Sequence, residues 1–154
     1  MTDIWLRPWV IQWTQDVLDS YLRLVKTELI SRKETPEQQA EHLFKSPFIV
    51  ASHGLQDDPI LIYGNQAALE LWEMDWEQFT QTPSRLTAEP MNREERARML
   101  EQAKIQGYIS DYRGVRISST GKRFLVERAT VWTIQKPDGT PLGQAATFSN
   151  FTFL

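Results

Sequence analysis

The stretch from Asn65 to Leu86 constrains the fold of this chain more than any other. It follows a short apolar run, Ile60–Tyr63, whose residue types favour a β-strand, and it begins on an asparagine, a preferred helix N-cap. Apolar side chains then recur at spacings of three and four, as on one face of an amphipathic helix: Leu69, Trp72, Trp76 and Phe79. Pro83 ends the helical run. The order predicts a strand followed directly by a short capped helix.

Charge and cysteine content exclude several classes of function. The 154 residues are 41% apolar, which suffices for one domain with a real core and an appendage. A net charge of -3 provides no global basic field for nucleic acid or an anionic membrane. The absence of cysteine excludes disulfides, thiolate metal sites and cysteinyl-flavin photochemistry. Because the start lacks signal-peptide features and no apolar run could span a bilayer, we expect a cytoplasmic protein.

Residues 1–42 form a predicted N-terminal helical extension. Pro8 suits the first turn of a helix, and an apolar stripe follows it: Trp9, Trp13, Val17, Tyr21 and Leu24. Thr35–Gln38 has the form of a capping box, which predicts a second short helix ending before Pro47. The stripe is the candidate interface of a homodimer or a protein partner, because the apolar arc is wide enough to leave a second surface. Docking of this helix on its own domain is the alternative.

Residues 43–154 have the mixed pattern of an α+β domain. Phe48–Ala51 and Ile60–Tyr63 favour strands, and Asn92 is placed to cap a helix that ends at Gly107. Three strand-like segments separated by turn residues follow, at 108–118, 123–135 and 142–151. The order predicts an antiparallel sheet with helices over one face.

Several segments resemble one known family in order and spacing. N-Q-A-A-L-E-L-W followed by P-S-R-L resembles the first helices of a PAS sensory domain. More narrowly, S-H-G-L-Q-D-D-P-I-L-I-Y-G-N, T-A-E-P-M-N-R-E-E-R and Y-R-G-V-R-I-S-S-T-G-K-R-F resemble the MEKHLA domain, a PAS-like family. The resemblance covers about residues 43–150. It implies a five-stranded antiparallel sheet whose concave face is covered by helices, in a domain that senses or binds.

The resemblance also implies a ligand pocket between the sheet and the helices. Nine residues are candidates to line it: Trp72, Phe79, Leu86, Met99, Ala103, Tyr112, Phe124, Val126 and Gln144. Ligand pockets are usually apolar with a few polar groups that fix orientation, and Tyr112 and Gln144 would be those groups. We therefore expect a small apolar or aromatic ligand. The alternative is that these side chains simply fill the core.

Catalysis and cofactor binding find little support in the residues. His53 near Asp57 and Asp58 could form a metal or acid–base cluster, although such residues more often shape a turn. Haem-binding PAS domains commonly carry a histidine on the long helix before the last strands, and Arg93–Gln106 has none. We expect no enzyme activity and no metal site, with haem and cysteinyl-flavin disfavoured and the cofactor unknown.

Basic residues cluster in the β region: Arg113, Arg116, Lys122, Arg123 and Arg128. Such runs usually form a solvated sheet face, so we expect no nucleic-acid partner.

Three hypotheses for function remain. The first is a non-catalytic sensory module that binds a small molecule and passes its occupancy through the N-terminal helix to a partner or dimer contact. The second is a purely structural protein–protein interaction domain with a filled core. The third is an α+β cone-type enzyme that uses His53 with Asp57 or Asp58.

Overall fold

The computed structural model describes residues Asp3–Leu154, leaving aside the side chain of Pro90, so the first two residues of the predicted extension lie outside the described residues. The helices are α1 (Pro8–Val25), α2 (Pro36–Lys45), α3 (Gln66–Trp72), α4 (Trp76–Phe79) and α5 (Pro90–Gln106). The strands are β1 (Ile49–His53), β2 (Leu61–Gly64), β3 (Tyr108–Ile117), β4 (Arg123–Gln135), β5 (Pro141–Phe148) and β6 (Asn150–Phe153). Short 3-10 turns precede α1 and α5, at Ile4–Leu6 and Ser84–Thr87.

The strands form one antiparallel sheet in the order β2-β1-β5-β4-β3, with β6 beside β4. β4 is long enough for two partners on one edge: Thr130–Gln135 pairs with β5, and Phe124–Glu127 pairs with β6. β5 and β6 are therefore consecutive parts of one strand interrupted at Ser149. The predicted α+β antiparallel sheet is confirmed, and this interruption makes six strands of the expected five.

The sheet presents two apolar faces, which β4 illustrates. Val126 packs with α3, whereas Trp132 packs with α1. Arg128 has a φ of 56°, and this irregularity shifts the phase of the alternation, so Val131 returns to the side of α5. The expectation of helices over one face was incomplete, because α3, α4 and α5 cover one face while α1 covers the other.

The predicted stripe on α1 packs on the chain's own sheet. Val17 is fully buried, and Ser20 Oγ accepts a hydrogen bond from the Gln135 backbone N–H at 2.7 Å. Three other members of the stripe are partly buried against the same core: Trp13, Tyr21 and Leu24. The stripe is therefore not a free interface, because most of it packs against the apolar second face of the sheet. Trp9, 46% exposed, is the member that stays at the surface.

Asn65 joins α2, β1 and α3. It is fully buried, and its Oδ1 accepts hydrogen bonds from the backbone N–H groups of Val50 at 3.1 Å and Ala68 at 3.2 Å. Its Nδ2 donates to the carbonyl oxygens of Leu43 at 3.1 Å and Phe48 at 2.8 Å. The predicted N-cap is confirmed, and the same amide also fixes where the preceding helix ends and the first strand begins.

Helix boundaries follow local capping more closely than apolar periodicity. The capping box at Thr35–Gln38 is present as predicted. The helix that starts after Asn65 does not continue to Trp76, because Glu73 adopts the left-handed conformation and Asp75 caps a separate turn. α5 begins at Pro90, ahead of the predicted cap Asn92, since proline is favoured in the first helical turn.

Candidate functional site

A cavity of about 80 Å³ lies between the sheet and helices α3, α4 and α5. Its wall is mostly apolar, and eight of its lining residues are polar or charged: Ser52, His53, Ser84, Thr87, Arg96, Tyr112, Arg116 and Gln144. A cavity of about 150 Å³ holds benzene in another protein. The space here is therefore suited to a molecule smaller than benzene.

The structure brings six of the nine predicted pocket residues to this cavity: Trp72, Phe79, Met99, Tyr112, Val126 and Gln144. Leu86 does not line it, because the 3-10 turn leaves this side chain 41% exposed. Phe124 is buried but packs against Trp72, with ring centroids 5.5 Å apart. Ala103 is buried against Val131, one turn of α5 beyond Met99. These three expectations are corrected.

His53 ends β1 and lines the cavity, where it is 7% exposed. Its Nδ1 lies 2.9 Å from the carbonyl oxygen of Gly54, so Nδ1 carries the proton and Nε2 is left as an acceptor. Nε2 is buried and has no hydrogen-bond partner among the described residues. Burial lowers the pKa of His53, the Gly54 hydrogen bond opposes this, and the charge of Arg96 lowers it further. The imidazole is neutral at pH 7.

Arg96 extends from α5 into the same cavity and is 9% exposed. Its Nη2 donates to Ser84 Oγ, and no carboxylate among the described residues forms an ion pair with it. Burial lowers its pKa to about 10, and the nearby charge of Arg116 acts in the same direction. The guanidinium is therefore a buried positive charge without a direct counter-ion in the described chain.

Arg116 supplies a second buried guanidinium, 7% exposed, from β3. It donates to the Val115 carbonyl oxygen at 2.8 Å and to Tyr112 Oη at 2.9 Å. Tyr112 Oη in turn donates to Glu95, 3.0 Å from both carboxylate oxygens. Among the described residues, the carboxylate of Glu95 is thus linked to the guanidinium of Arg116 through the hydroxyl of Tyr112.

Gly114 gives this tyrosine its space. A Cβ at this position would overlap the phenol of Tyr112, with the ring carbon Cζ only 2.8 Å away. The ring can therefore fold back along its own strand and place Oη between Glu95 and Arg116.

Two further lining residues bear on orientation. Gln144, expected as an orienting group, donates through Nε2 to the Leu100 carbonyl oxygen at 3.0 Å, so this donor is already used by α5. The indole N–H of Trp72 is buried and, among the described residues, has no acceptor. Trp72 thus adds an unsatisfied donor to the unsatisfied acceptor of His53.

Sequence reasoning missed His53, Arg96 and Arg116 as cavity residues. Alternation along β1 from Ile49 points His53 to the helix-covered face, and alternation from Tyr112 does the same for Arg116. Arg96 precedes Met99 by three residues on α5, so both lie on one helix face. Both periodicities can be read in the sequence, but arginine side chains lie mostly at the protein surface, so their type predicts solvent exposure.

Other predicted groups lie apart from the cavity. Asp58 is exposed and pairs with Arg85 at 3.2 Å, so it does not converge with the buried His53. From Asp3 onward, no cluster of three metal-ligating side chains is found. In the basic cluster, Arg113 pairs with Glu127 at 3.5 Å, and the expectation of a solvated face is wrong for the buried Arg116.

Comparison with known proteins places the chain in a family. The profile described as the MEKHLA domain matches residues 11–153. The chain belongs to the MEKHLA domain family. The match begins inside α1 and crosses the predicted boundary between residues 42 and 43, which stays a prediction. No curated protein matches this MEKHLA chain.

Solved structures similar to this MEKHLA domain are PAS and light-oxygen-voltage domains. A PAS domain from Colwellia psychrerythraea has a TM-score of 0.65 at 15% identity, covering 77% of this chain and 95% of that one. A light-oxygen-voltage domain studied with a flavin analogue has a TM-score of 0.60 at 10% identity, covering 76% and 84%. An RNA-binding light-oxygen-voltage receptor has a TM-score of 0.61 at 14% identity, covering 78% of this chain and 33% of that one. At these identities the likeness establishes the PAS-like fold.

The residues of this MEKHLA domain do not fit a flavin of the photochemical type. The cavity of about 80 Å³ is smaller than one that holds a single benzene ring, whereas isoalloxazine has three fused rings. The chain also has no cysteine to form a flavin adduct. From residue 3 onward, no helix has the length and apolar character needed to cross a membrane.

Proposed function

We propose that this MEKHLA domain is a non-catalytic sensory module that binds a small molecule in the cavity and passes its occupancy to α1. The observation that carries the proposal is the back-to-back arrangement at β1. His53 lines the cavity, and its neighbour Ser52 accepts a hydrogen bond from the indole N–H of Trp13 on α1 at 2.9 Å. Adjacent strand residues point to opposite faces, so a displacement of one backbone segment reaches both.

A second contact supports the same route. The Trp13 ring lies over Gly143, 3.4 Å from the position of a Cβ at that residue, and the next residue is Gln144 in the cavity wall. Trp13 therefore covers the reverse side of two cavity residues, His53 and Gln144. A coupling free energy of about 1–3 kcal/mol between the cavity and α1 would suffice for signalling.

The proposed output is a contact with a second copy or another protein. Trp9 and Leu22 on α1 are 46% and 42% exposed, so both large apolar side chains are available for a contact at the surface. Trp9, the exposed member of the stripe, and Leu22 therefore replace its buried members as the candidate interface. The same exposed side chains favour the second candidate function, a protein–protein interaction domain without a ligand.

The proposal also covers the cellular compartment, nucleic-acid binding and catalysis. A cysteine-free chain suits a reducing cytoplasm, where we place it. A net charge of -3 and the ion pair of Arg113 disfavour a nucleic-acid partner. The separation of Asp58 from His53 disfavours the cone-type enzyme.

Native mass spectrometry of freshly purified protein tests the binding step. We expect a bound small molecule or, after exchange against candidate compounds, a mass increase of one ligand per chain. Hydrogen exchange then tests the relay: the protection of the backbone amides of residues 8–25 should change on binding, in either direction. Trp13→Phe, which removes the donor to Ser52, should still bind ligand but lose most of that change. Gln12→Ala, at an exposed position of the same helix outside the proposed interface, serves as the control. Identical exchange of α1 with and without bound ligand would contradict the relay.

A further inference from the structure

The charged residues that line the cavity indicate the chemical class of its ligand, given that the proposed binding function holds. Arg96 and Arg116 bring two guanidinium groups to a space of about 80 Å³, and among the described residues the one carboxylate hydrogen-bonded toward them is Glu95, which reaches Arg116 through Tyr112. Buried charges are ordinarily paired, because an isolated charge is costly to remove from water. The described residues thus leave one positive charge in excess beside the cavity.

The small apolar or aromatic ligand expected from the sequence would not neutralise this positive charge. A carboxylate does, since its two oxygens accept hydrogen bonds from guanidinium donors in a planar arrangement. Trp72 contributes an indole N–H that lacks an acceptor among the described residues. Three residues that line one cavity, on α3, α5 and β3, therefore offer donors to an anion.

His53 adds a different requirement. Its Nδ1 proton is held by the Gly54 carbonyl oxygen, so the unpartnered Nε2 presents a lone pair. A bare carboxylate oxygen beside this atom would be repelled. A hydroxyl hydrogen on the same ligand would satisfy it.

The volume of the cavity limits the size of the ligand. With about 150 Å³ holding the six carbons of benzene, about half that space suits a ligand of roughly three to five non-hydrogen atoms. We infer that the cavity binds a two-carbon 2-hydroxycarboxylate, with its carboxylate at Arg96 and Arg116 and its hydroxyl donating to His53. No chemical step is involved, since the ligand is bound and released unchanged.

Titration calorimetry of the full chain at pH 7.5 tests this assignment with three matched compounds. Glycolate has both groups, glycolamide replaces the carboxylate by a neutral amide of the same size, and acetate lacks the hydroxyl; sodium chloride controls for ionic strength. We expect glycolate to bind most tightly, and the loss of the charge or the hydroxyl to weaken binding about 10-fold or more. Equal binding of acetate and glycolate would overturn the role of His53.

Arg96→Met provides the decisive variant. Removing an uncompensated buried charge should raise the melting temperature of the ligand-free protein by about 2–5 °C while weakening glycolate binding about 10- to 100-fold. Arg98→Met is the control, since Arg98 lies on the same helix and is exposed in an i,i+4 pair with Glu94; it should change neither value. A lower melting temperature with unchanged glycolate binding would overturn the inference and make Arg96 a structural residue.

Different results would contradict the anion assignment and the sensory function. If glycolamide or another neutral compound binds as well as glycolate and Arg96→Met has no effect, the anion assignment is wrong and the sensory proposal stands. If native mass spectrometry finds no ligand of any charge and glycolate gives no heat at millimolar concentration, both are wrong.

Discussion

At the scale of the residue, one amide holds the junction of three elements. Asn65 makes four buried hydrogen bonds, two as acceptor and two as donor, which is the full capacity of its side chain. Asn65→Ala should lower the free energy of unfolding by roughly 2–4 kcal/mol, measured by urea denaturation, because it leaves buried backbone groups unpaired. Asp75→Ala, which removes an exposed cap of α4, should cost only about 1 kcal/mol.

Asn65→Asp separates the two halves of this role. The aspartate keeps the acceptor for Val50 and Ala68 but cannot donate to Leu43 and Phe48, and it buries a charge facing two carbonyl oxygens. It should therefore be no more stable than the alanine variant. An aspartate variant close to wild type would show that the cap alone matters.

His53 makes the stability of the fold depend on pH. Its pKa is lowered in the folded state, where Arg96, Arg116 and Tyr112 also line the cavity, so the unfolded chain binds a proton that the folded chain does not. The neutral imidazole contributes stability that is fully present above its ordinary pKa of 6.5 and is lost as pH falls below it. His53→Gln should flatten the dependence of the unfolding free energy between pH 7.5 and 5.5.

At the scale of the element, two strand glycines allow different close approaches. At Gly143 in β5, a Cβ would overlap the carbonyl oxygen of His53 in the neighbouring β1, which is backbone and cannot move aside. At Gly114 in β3, a Cβ would meet only the phenol of Tyr112. Gly143→Ala should therefore cost roughly 1–3 kcal/mol in urea denaturation and disturb the pairing of β1 with β5.

Gly114→Ala is the informative counterpart. It should cost less stability, because the tyrosine ring can swing away, yet it should weaken glycolate binding by separating Tyr112 from Glu95 and Arg116. Equal loss of stability in both variants would show that the ring at Tyr112 is as immobile as the backbone at His53.

At the scale of the whole molecule, order and type of the elements followed from the sequence, and the use of their surfaces did not. The cap at Asn65, the capping box at Thr35 and the end of α5 at Gly107 are local chemistry, so they were predictable. The docking of α1 was not, because an amphipathic stripe has the same pattern whether its partner is its own sheet or another chain. The cavity was found only in part, since its charged residues follow strand and helix periodicity while their type suggests solvent.

The irregularities of β3 and β4 could not be predicted from the sequence either. Asp111 and Arg128 both have positive φ, at 58° and 56°, and each shifts the alternation of its strand. Neither residue is glycine, so the sequence carries no mark of the shift. Only the pairing of the finished sheet shows which side chains face α5.

The sharing of β1 between the cavity and α1 restricts how the chain can vary. Because side chains alternate, deleting one residue ahead of Ser52 in β1 would exchange the two faces: the hydroxyl of Ser52 would turn from Trp13 toward the helix-covered side, and the imidazole of His53 would turn toward Trp13. Insertions in the exposed loop that follows carry no such consequence. Among related sequences, positions 13, 52 and 53 should therefore covary, even though residue 13 makes no contact with a ligand in the cavity.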